Sequence, residues 1–285
     1  MTTPPCRERH LDFLSPHGFS RMNYYEWGDA ANPDVLVCAH GLTRNGRDFD
    51  ALAQALSGRF RIICPDLPGR GKSDWLRDPN DYIFPTYLGA LSALLARADP
   101  QSLAWVGTSM GGLLGIVLAA QPATPIRKLV INDVGPVIEA PALARIGEYV
   151  GARPVFATFE ALETHVRAVS APFGPLTDTQ WHHLSETTAR QMADGTWSLR
   201  YDPGIAVPFR SAPDQSPVLW ALWDAIACPT LLLRGAQSDL LAASTALAMT
   251  QRGPKPQLVE FSGIGHAPML LDAAQIDPVA AFLLG

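Results

Sequence analysis

A serine between glycines is the first candidate for chemistry in this chain. Ser109 lies in Gly107-Thr108-Ser109-Met110-Gly111-Gly112, after the apolar run 103–106 and before an Ala/Leu-rich segment. This pattern predicts a buried strand, a sharp turn and a helix, with the serine hydroxyl raised above the end of the strand. The turn closes only if the positions two residues before and after the serine are very small, and Gly107 and Gly111 meet that demand. The pattern therefore indicates a nucleophile.

A nucleophilic serine needs a base and an acid that orients the base. His266 is the candidate base, because it follows the last predicted strand in a glycine-rich loop, at the sheet edge where the serine turn lies. Asp239 and Asp133 are the candidate acids, since each follows a predicted strand at the same edge. Asp239 is favoured because it keeps the order serine, acid, histidine over the last strands. Asp133 is interpreted instead as a residue that forms a turn.

Two backbone amides are expected to stabilise a developing oxyanion. The Met110 amide is one, because it lies at the start of the helix after the serine. The second is expected from Leu42, since Gly41 lets the chain bend after the third predicted strand. His40, in the same turn, is predicted to hydrogen-bond the turn rather than to act as a base.

Short apolar runs alternate with helical patterns along most of the chain, which predicts a parallel sheet covered by helices on both faces. Residues 10–14 and 20–27 predict an antiparallel hairpin at the edge of that sheet. The alternation stops between residue 135 and about residue 217, where segments 142–150, 156–169 and 178–192 have helical spacing. We therefore predict a core of residues 1–134 and 217–285, with residues 135–216 forming a helical cap.

Composition excludes several classes of function. The chain has 285 residues, of which 47% are hydrophobic and 17% charged, and this suits one sizeable α/β domain. A net charge of −5 without any basic run argues against nucleic acid and anionic membranes as partners. The four cysteines lie far apart and form no spacing typical of a metal site. No metal and no other cofactor is expected. With no apolar leader and no apolar stretch long enough to span a bilayer, a cytoplasmic location is predicted.

The segment 66–73 ends in Gly71-Lys72-Ser73, as a phosphate-binding loop does. Asp66 stands where that loop needs glycine, and no clear helix start follows. We interpret the segment as a turn that shapes the sheet edge.

Together these motifs resemble the α/β-hydrolase fold superfamily. The resemblance extends from about residue 20 to the end, and its motifs are His40-Gly41, Asp66-x-Pro-Gly69-x-Gly71-x-Ser73, Gly107-x-Ser109-x-Gly111-Gly112, Arg234-Gly-x-x-Ser-Asp239 and Gly265-His266. It implies a mostly parallel, doubly wound sheet of eight strands, with a helical cap inserted after strand 6. It also implies a triad of Ser109, His266 and Asp239, and an oxyanion hole from Leu42 and Met110. Dehalogenases and epoxide hydrolases of this superfamily carry aspartate at the nucleophile position, so the chain is more similar to its small bacterial esterases and C–C hydrolases.

Hydrolysis of a carboxylic ester of a small, partly apolar substrate, through an acyl-enzyme on Ser109, is the favoured hypothesis. A thioesterase, a lactonase or a C–C bond hydrolase would use the same residues, although segment 41–47 lacks the glycine-rich sequence of the C–C hydrolases. A ligand receptor with slow turnover is a further alternative. Arg44 is a candidate for binding a substrate carboxylate, and Phe173 and Trp181 are candidates for lining an apolar pocket.

Overall fold

The computed structural model describes residues 6–211 and 218–285. Outside these ranges lie residues 1–5, on which the expected lack of a leader partly rests. The predicted boundary between residues 216 and 217 also lies outside them. The described residues form eleven strands, numbered here in chain order: β1 (Arg7–Ser15), β2 (Gly18–Trp27), β3 (Asp34–Ala39), β4 (Arg61–Pro65), β5 (Ser102–Thr108), β6 (Ile126–Asn132), β7 (Val155–Phe156), β8 (Ala189–Gln191), β9 (Trp197–Leu199), β10 (Thr230–Gly235) and β11 (Gln257–Phe261).

Ten α-helices accompany the strands in the same described ranges. They are α1 (Asp50–Leu56), α2 (Phe84–Ala98), α3 (Met110–Ala119), α4 (Ala140–Tyr149), α5 (Phe159–Val169), α6 (Asp178–Thr188), α7 (Ala206–Ser211), α8 (Trp220–Ala225), α9 (Ala243–Gln251) and α10 (Ala273–Leu284). None of the helices in residues 6–211 and 218–285 has both the length and the hydropathy needed to cross a bilayer.

Eight strands form one sheet in the order β1-β2-β4-β3-β5-β6-β10-β11. The β1–β2 and β2–β4 pairs are antiparallel, and every pair from β4 to β11 is parallel. The predicted edge hairpin and the predicted eight-stranded, mostly parallel sheet are therefore confirmed. Because β5, β6, β10 and β11 are neighbours with the same direction, the loops that follow them meet at one sheet edge.

Apolar side chains cover the sheet on both faces. On one face, Leu91 of α2 and Leu114 of α3 belong to a large buried cluster. On the other face, Leu52 of α1 and Val279 of α10 belong to a second cluster. The strands between these layers are apolar on both sides, as a buried parallel sheet requires.

The segment between β6 and β10 departs from the core pattern and contains helices α4 to α8. It also holds a small antiparallel sheet in the order β7-β9-β8, which the sequence analysis did not predict. These strands have two or three residues each, too few for a period of two to be visible in the sequence. The division of the chain into a core and a cap stays a prediction.

Candidate functional site

Ser109 occupies a strained turn between β5 and α3. Its backbone angles are φ 54° and ψ −118°, a region that residues with a side chain rarely adopt. A β-carbon at Gly107 would lie 2.2 Å from the carbonyl oxygen of Gly111, and one at Gly111 would lie 2.0 Å from that of Ala39. The two glycines are therefore required by the close approach of backbone segments around the serine.

His266 lies within hydrogen-bond distance of Ser109, as the sequence predicts. Its Nε2 atom is 2.9 Å from the serine Oγ. The histidine loop is fixed on both sides, because the Gly265 amide donates to the carbonyl of Pro172 at 2.7 Å and the Asn132 side-chain amide donates to the carbonyl of Pro268 at 2.7 Å. These contacts hold the imidazole over the serine.

Asp133 is the carboxylate that contacts the other nitrogen of this imidazole. Its Oδ2 atom is 2.8 Å from His266 Nδ1, and the side chain is completely buried. The same oxygen accepts a hydrogen bond from the Ser238 hydroxyl at 2.6 Å, and Oδ1 accepts one from the Gly235 amide at 2.9 Å. Three hydrogen bonds thus satisfy the carboxylate oxygens and fix the direction of the side chain toward the histidine.

The prediction that Asp239 contacts the histidine is wrong. The Asp239 carboxylate is half exposed and pairs with Arg145 at 2.7 and 3.0 Å. The turn after β10 explains the difference, because the Ser238 amide donates to the Gly235 carbonyl and the Ser238 hydroxyl reaches Asp133. Ser238 thereby takes the inward position of the loop, and the residue after it faces outward.

The turn predicted to supply an oxyanion donor lies against the serine. A β-carbon at Gly41 would be 3.5 Å from the β-carbon of Ser109. The amide of Leu42 makes no hydrogen bond to another described residue. Met110 is the first residue of α3, so its amide has no acceptor within the helix. Both predicted donors thus lie beside the nucleophile.

His40 fixes this turn, as the sequence predicts. Its Nδ1 atom is 2.7 Å from the carbonyl oxygen of Gly41, and its Nε2 atom accepts a hydrogen bond from the Leu67 amide at 2.9 Å. The second contact requires Nε2 without a proton, so Nδ1 is the donor of the first. Complete burial lowers the pKa of His40 to about 3, which keeps the ring neutral.

Arg70 is a buried residue of the site that the sequence analysis missed. Its guanidinium donates to the carbonyl of Leu42 at 2.8 Å, to that of Pro68 at 2.7 Å and to the Tyr87 hydroxyl at 2.6 Å. It also lies against the sulfur of Met110, at 3.9 Å. One arginine therefore contacts both residues that carry the predicted oxyanion donors. In the sequence it is only the residue between Gly69 and Gly71 of a predicted turn, with no pattern that marks it as functional.

Asp66 shapes the neighbouring turn, as interpreted from the sequence. It accepts hydrogen bonds from the backbone amides of Lys72 and Gly46, each at 2.8 Å, and from the Asn23 side chain at 3.2 Å. Burial raises the pKa of its carboxyl from 3.8 to about 6, although these hydrogen bonds lower it. Gly71 has φ +55° and no space for a β-carbon beside this carboxylate.

His40 and Asp66 give the free energy of unfolding opposite dependences on pH. As pH falls below 6.5, the unfolded chain protonates its histidine while the folded chain does not until about pH 3, so His40 costs stability in acid. Between about pH 6 and pH 3.8 the folded chain binds the proton of Asp66 and the unfolded chain does not, so acidification favours folding there. Between about pH 6 and pH 3.8, the effects of His40 and Asp66 on the free energy of unfolding therefore oppose each other.

Asp66→Asn is therefore expected to make the fold more sensitive to acid. Between pH 6 and pH 4 the free energy of unfolding should fall by about 1.4 kcal/mol per pH unit more steeply than in the parent protein, because the His40 effect is no longer opposed. Urea unfolding at half-unit steps of pH measures both slopes. A double variant with His40→Gln should lose the extra slope, and parallel curves for Asp66→Asn and the parent would contradict the expectation.

A cavity of about 200 Å³ contains Ser109 and His266. Its wall includes Phe173, as predicted, but not Trp181. The Trp181 ring is buried and stacks on Phe173 with 6.5 Å between ring centroids, so it supports the wall from behind. Arg44 also lines the cavity, next to the Phe173 ring.

The family model described as "alpha/beta hydrolase fold" matches residues 34–273, which include Ser109, Asp133 and His266. A protein of Cupriavidus necator named 3-hydroxybutyrate-oligomer hydrolase is 47% identical over 280 residues, which cover 95% of this chain and 96% of the relative. A pimeloyl-[acyl-carrier protein] methyl ester esterase of Vibrio cholerae is 27% identical over 261 residues, with coverages of 87% and 92%.

Solved structures show the same similarity. The crystal structure of an alpha/beta hydrolase from Novosphingobium aromaticivorans superimposes with a TM-score of 0.88 and 38% sequence identity, covering 100% of this chain and 99% of the other. The similarity therefore includes the strands and loops that position the serine, the histidine and the buried aspartate.

Proposed function

The chain belongs to the alpha/beta hydrolase fold family and is an ester-acting hydrolase, and on this basis we propose that it forms an acyl-enzyme on Ser109. The observation that carries the proposal is the continuous hydrogen-bonded series from Ser109 through His266 to Asp133. Serine catalysis requires this order of nucleophile, base and acid.

In the first half-reaction, His266 Nε2 takes the proton of Ser109 Oγ as that oxygen attacks the ester carbonyl carbon. The carbonyl oxygen becomes an oxyanion and accepts hydrogen bonds from the Leu42 and Met110 amides. Collapse of this intermediate breaks the ester C–O bond, and His266 gives its proton to the leaving alkoxide. The products are an alcohol and the serine ester.

In the second half-reaction, water replaces the alcohol. His266 removes a proton from the water as the water oxygen attacks the carbonyl carbon of the serine ester. Collapse of this second intermediate breaks the bond between that carbon and Ser109 Oγ, His266 returns the proton to Oγ, and the carboxylic acid is released. Asp133 stays ionised and hydrogen-bonded to Nδ1, which holds the neutral imidazole in the tautomer with Nε2 free and stabilises the imidazolium that forms in each step. The buried position of Asp133 and its three donors support this role.

For the substrate, we propose short oligomers of 3-hydroxybutyrate. The similarity to the Cupriavidus necator protein, at 47% identity over nearly the whole chain, supports this choice. Such an oligomer is a chain of carboxylic esters with short aliphatic units, and it suits a small cavity whose wall combines Phe173 with polar residues.

The test is the release of 3-hydroxybutyrate from its purified dimer and trimer, with p-nitrophenyl butyrate as a neutral reference ester. We expect a kcat/KM for the oligomers above that for esters of long-chain acids and above that for thioesters of the same acyl length. Hydrolysis of p-nitrophenyl butyrate without any cleavage of the oligomers would contradict the substrate and leave the serine mechanism standing.

A further inference from the structure

Two arginines of the cavity wall hold aspartates in a similar way. The Arg44 guanidinium donates to Asp48 through two nitrogens, at 2.9 and 2.6 Å. The Arg145 guanidinium donates to Asp239 through two nitrogens, at 2.7 and 3.0 Å. Both arginines that line the cavity in the described part of the chain therefore already have a carboxylate partner.

Burial separates the two pairs. The side chains of Arg44 and Asp48 are only 12% and 8% exposed, so removing Arg44 from its partner would leave a buried charge without compensation. The side chains of Arg145 and Asp239 are 41% and 50% exposed, and an exposed ion pair of this kind contributes little to stability. Only Arg145 can therefore exchange its aspartate for another carboxylate at a small cost in stability.

Arg145 is also oriented toward the substrate space. It lies on α4 with Ile146 and Tyr149, and all three residues line the cavity that contains Ser109. Positions four apart on a helix share a face, so this face of α4 forms part of the wall. Burial raises the pKa of the Tyr149 phenol and the positive charge of Arg145 lowers it, so the phenol lies near the guanidinium.

We infer that Arg145 binds the carboxylate of an anionic ester substrate, and that Asp239 occupies the guanidinium until the substrate replaces it. The inference rests on the proposed function, because an oligomer of 3-hydroxybutyrate carries one terminal carboxylate. A carboxylate fits the two-nitrogen arrangement that Asp239 now uses. Arg145 thus determines specificity for anionic over neutral esters, and Asp239 acts as a competing internal anion.

The two members of the pair should therefore have opposite effects on the same substrate. Arg145→Gln is expected to lower kcat/KM for the 3-hydroxybutyrate dimer about fivefold, mainly through KM, because the charged contact is lost. Asp239→Asn is expected to raise kcat/KM for the dimer about twofold, because the competing carboxylate is removed. If the pair of Arg145 and Asp239 only fastened α4 to the loop after β10, both substitutions would lower kcat/KM for charged and neutral substrates alike.

The experiment compares the dimer with its methyl ester, which has the same internal ester bond and no carboxylate, by chromatography of the products. Arg252→Gln is the matched control, since Arg252 forms a similarly exposed pair with Asp224 and does not line the cavity. We expect the ratio of kcat/KM for dimer over methyl ester to fall in Arg145→Gln, rise in Asp239→Asn and stay unchanged in Arg252→Gln. Equal changes for dimer and methyl ester, or a loss in both pair variants, would overturn the inference.

The same experiment distinguishes failure of the proposed substrate from failure of the inference about Arg145. If the parent protein cleaves p-nitrophenyl butyrate but neither the dimer nor its methyl ester, the substrate proposal fails. In that case, monomethyl and dimethyl glutarate replace the dimer pair as anionic and neutral probes. An unchanged anionic-to-neutral ratio in both variants with these probes would overturn the inference on its own.

Discussion

Ser109→Ala should lower kcat for hydrolysis of p-nitrophenyl butyrate by about a million-fold, the loss seen when the nucleophile of a serine triad is removed. The alanine has no oxygen to attack the carbonyl, and the remaining rate comes from substrate binding and the oxyanion donors alone. The fold should survive, because the only hydrogen bond of the Ser109 hydroxyl to a described residue is the one to His266.

Purified protein, assayed at enzyme concentrations high enough to detect the residual rate, gives the measurement. Circular dichroism and thermal unfolding serve as the control for folding. A folded Ser109→Ala protein with a kcat near that of the parent would show that another group is the nucleophile.

Asp133→Asn should lower kcat by roughly ten thousand-fold, the loss expected when the acid of a triad becomes an amide. An asparagine at this position no longer accepts the hydrogen bond of the Nδ1–H group as a carboxylate does, so the histidine is neither held in the required tautomer nor stabilised when it is charged. KM should change little, because Asp133 is completely buried.

Asp239→Asn is the matched control for this prediction. It makes the same chemical change in the loop after β10, the strand next to β6. We expect kcat for the neutral p-nitrophenyl ester to stay within about threefold of the parent, since an exposed ion pair contributes little. Comparing kcat of the two variants shows directly which of the two aspartates supports His266 in catalysis. A large loss in Asp239→Asn together with a small loss in Asp133→Asn would contradict the geometry of the site.

The nucleophile and the base could be predicted because their positions depend on local sequence. Gly107 and Gly111 are needed by a turn that lies within a few residues of Ser109, and His266 lies in the loop that follows β11. In a parallel sheet both loops must then lie at the same edge. The approach of the two side chains thus follows from short patterns and one topological rule.

Local sequence did not show that Asp133, rather than Asp239, is the aspartate that contacts His266. Asp133 lies between Ser109 and His266 in the chain, just as Asp239 does, so the order of the three residues does not distinguish the two candidates. The deciding contact is the Ser238 hydroxyl on Asp133, made between residues 105 positions apart. A better indication is topological, since β6, which Asp133 follows, is the strand next to the serine strand β5.

Other parts of the site depend on tertiary contacts that no local pattern encodes. Arg70 reaches Leu42 and Tyr87 across 28 and 17 positions of the chain. Phe173 and Trp181 have equal apolar character in the sequence, yet only Phe173 lines the cavity. Packing within the insertion decides which aromatic ring faces the substrate, and it is not visible in the order of residues.

The most direct test of the serine mechanism is capture of the covalent intermediate. Parent protein is mixed with p-nitrophenyl butyrate, quenched in acid within milliseconds, digested and analysed by mass spectrometry. We predict a butyryl group on the peptide that contains Ser109, with the rate at which it forms reduced in Asp133→Asn and unchanged in Asp239→Asn. Turnover of the ester by a protein that carries no acyl group on Ser109 at any quench time, or that carries it on another residue, would contradict the account.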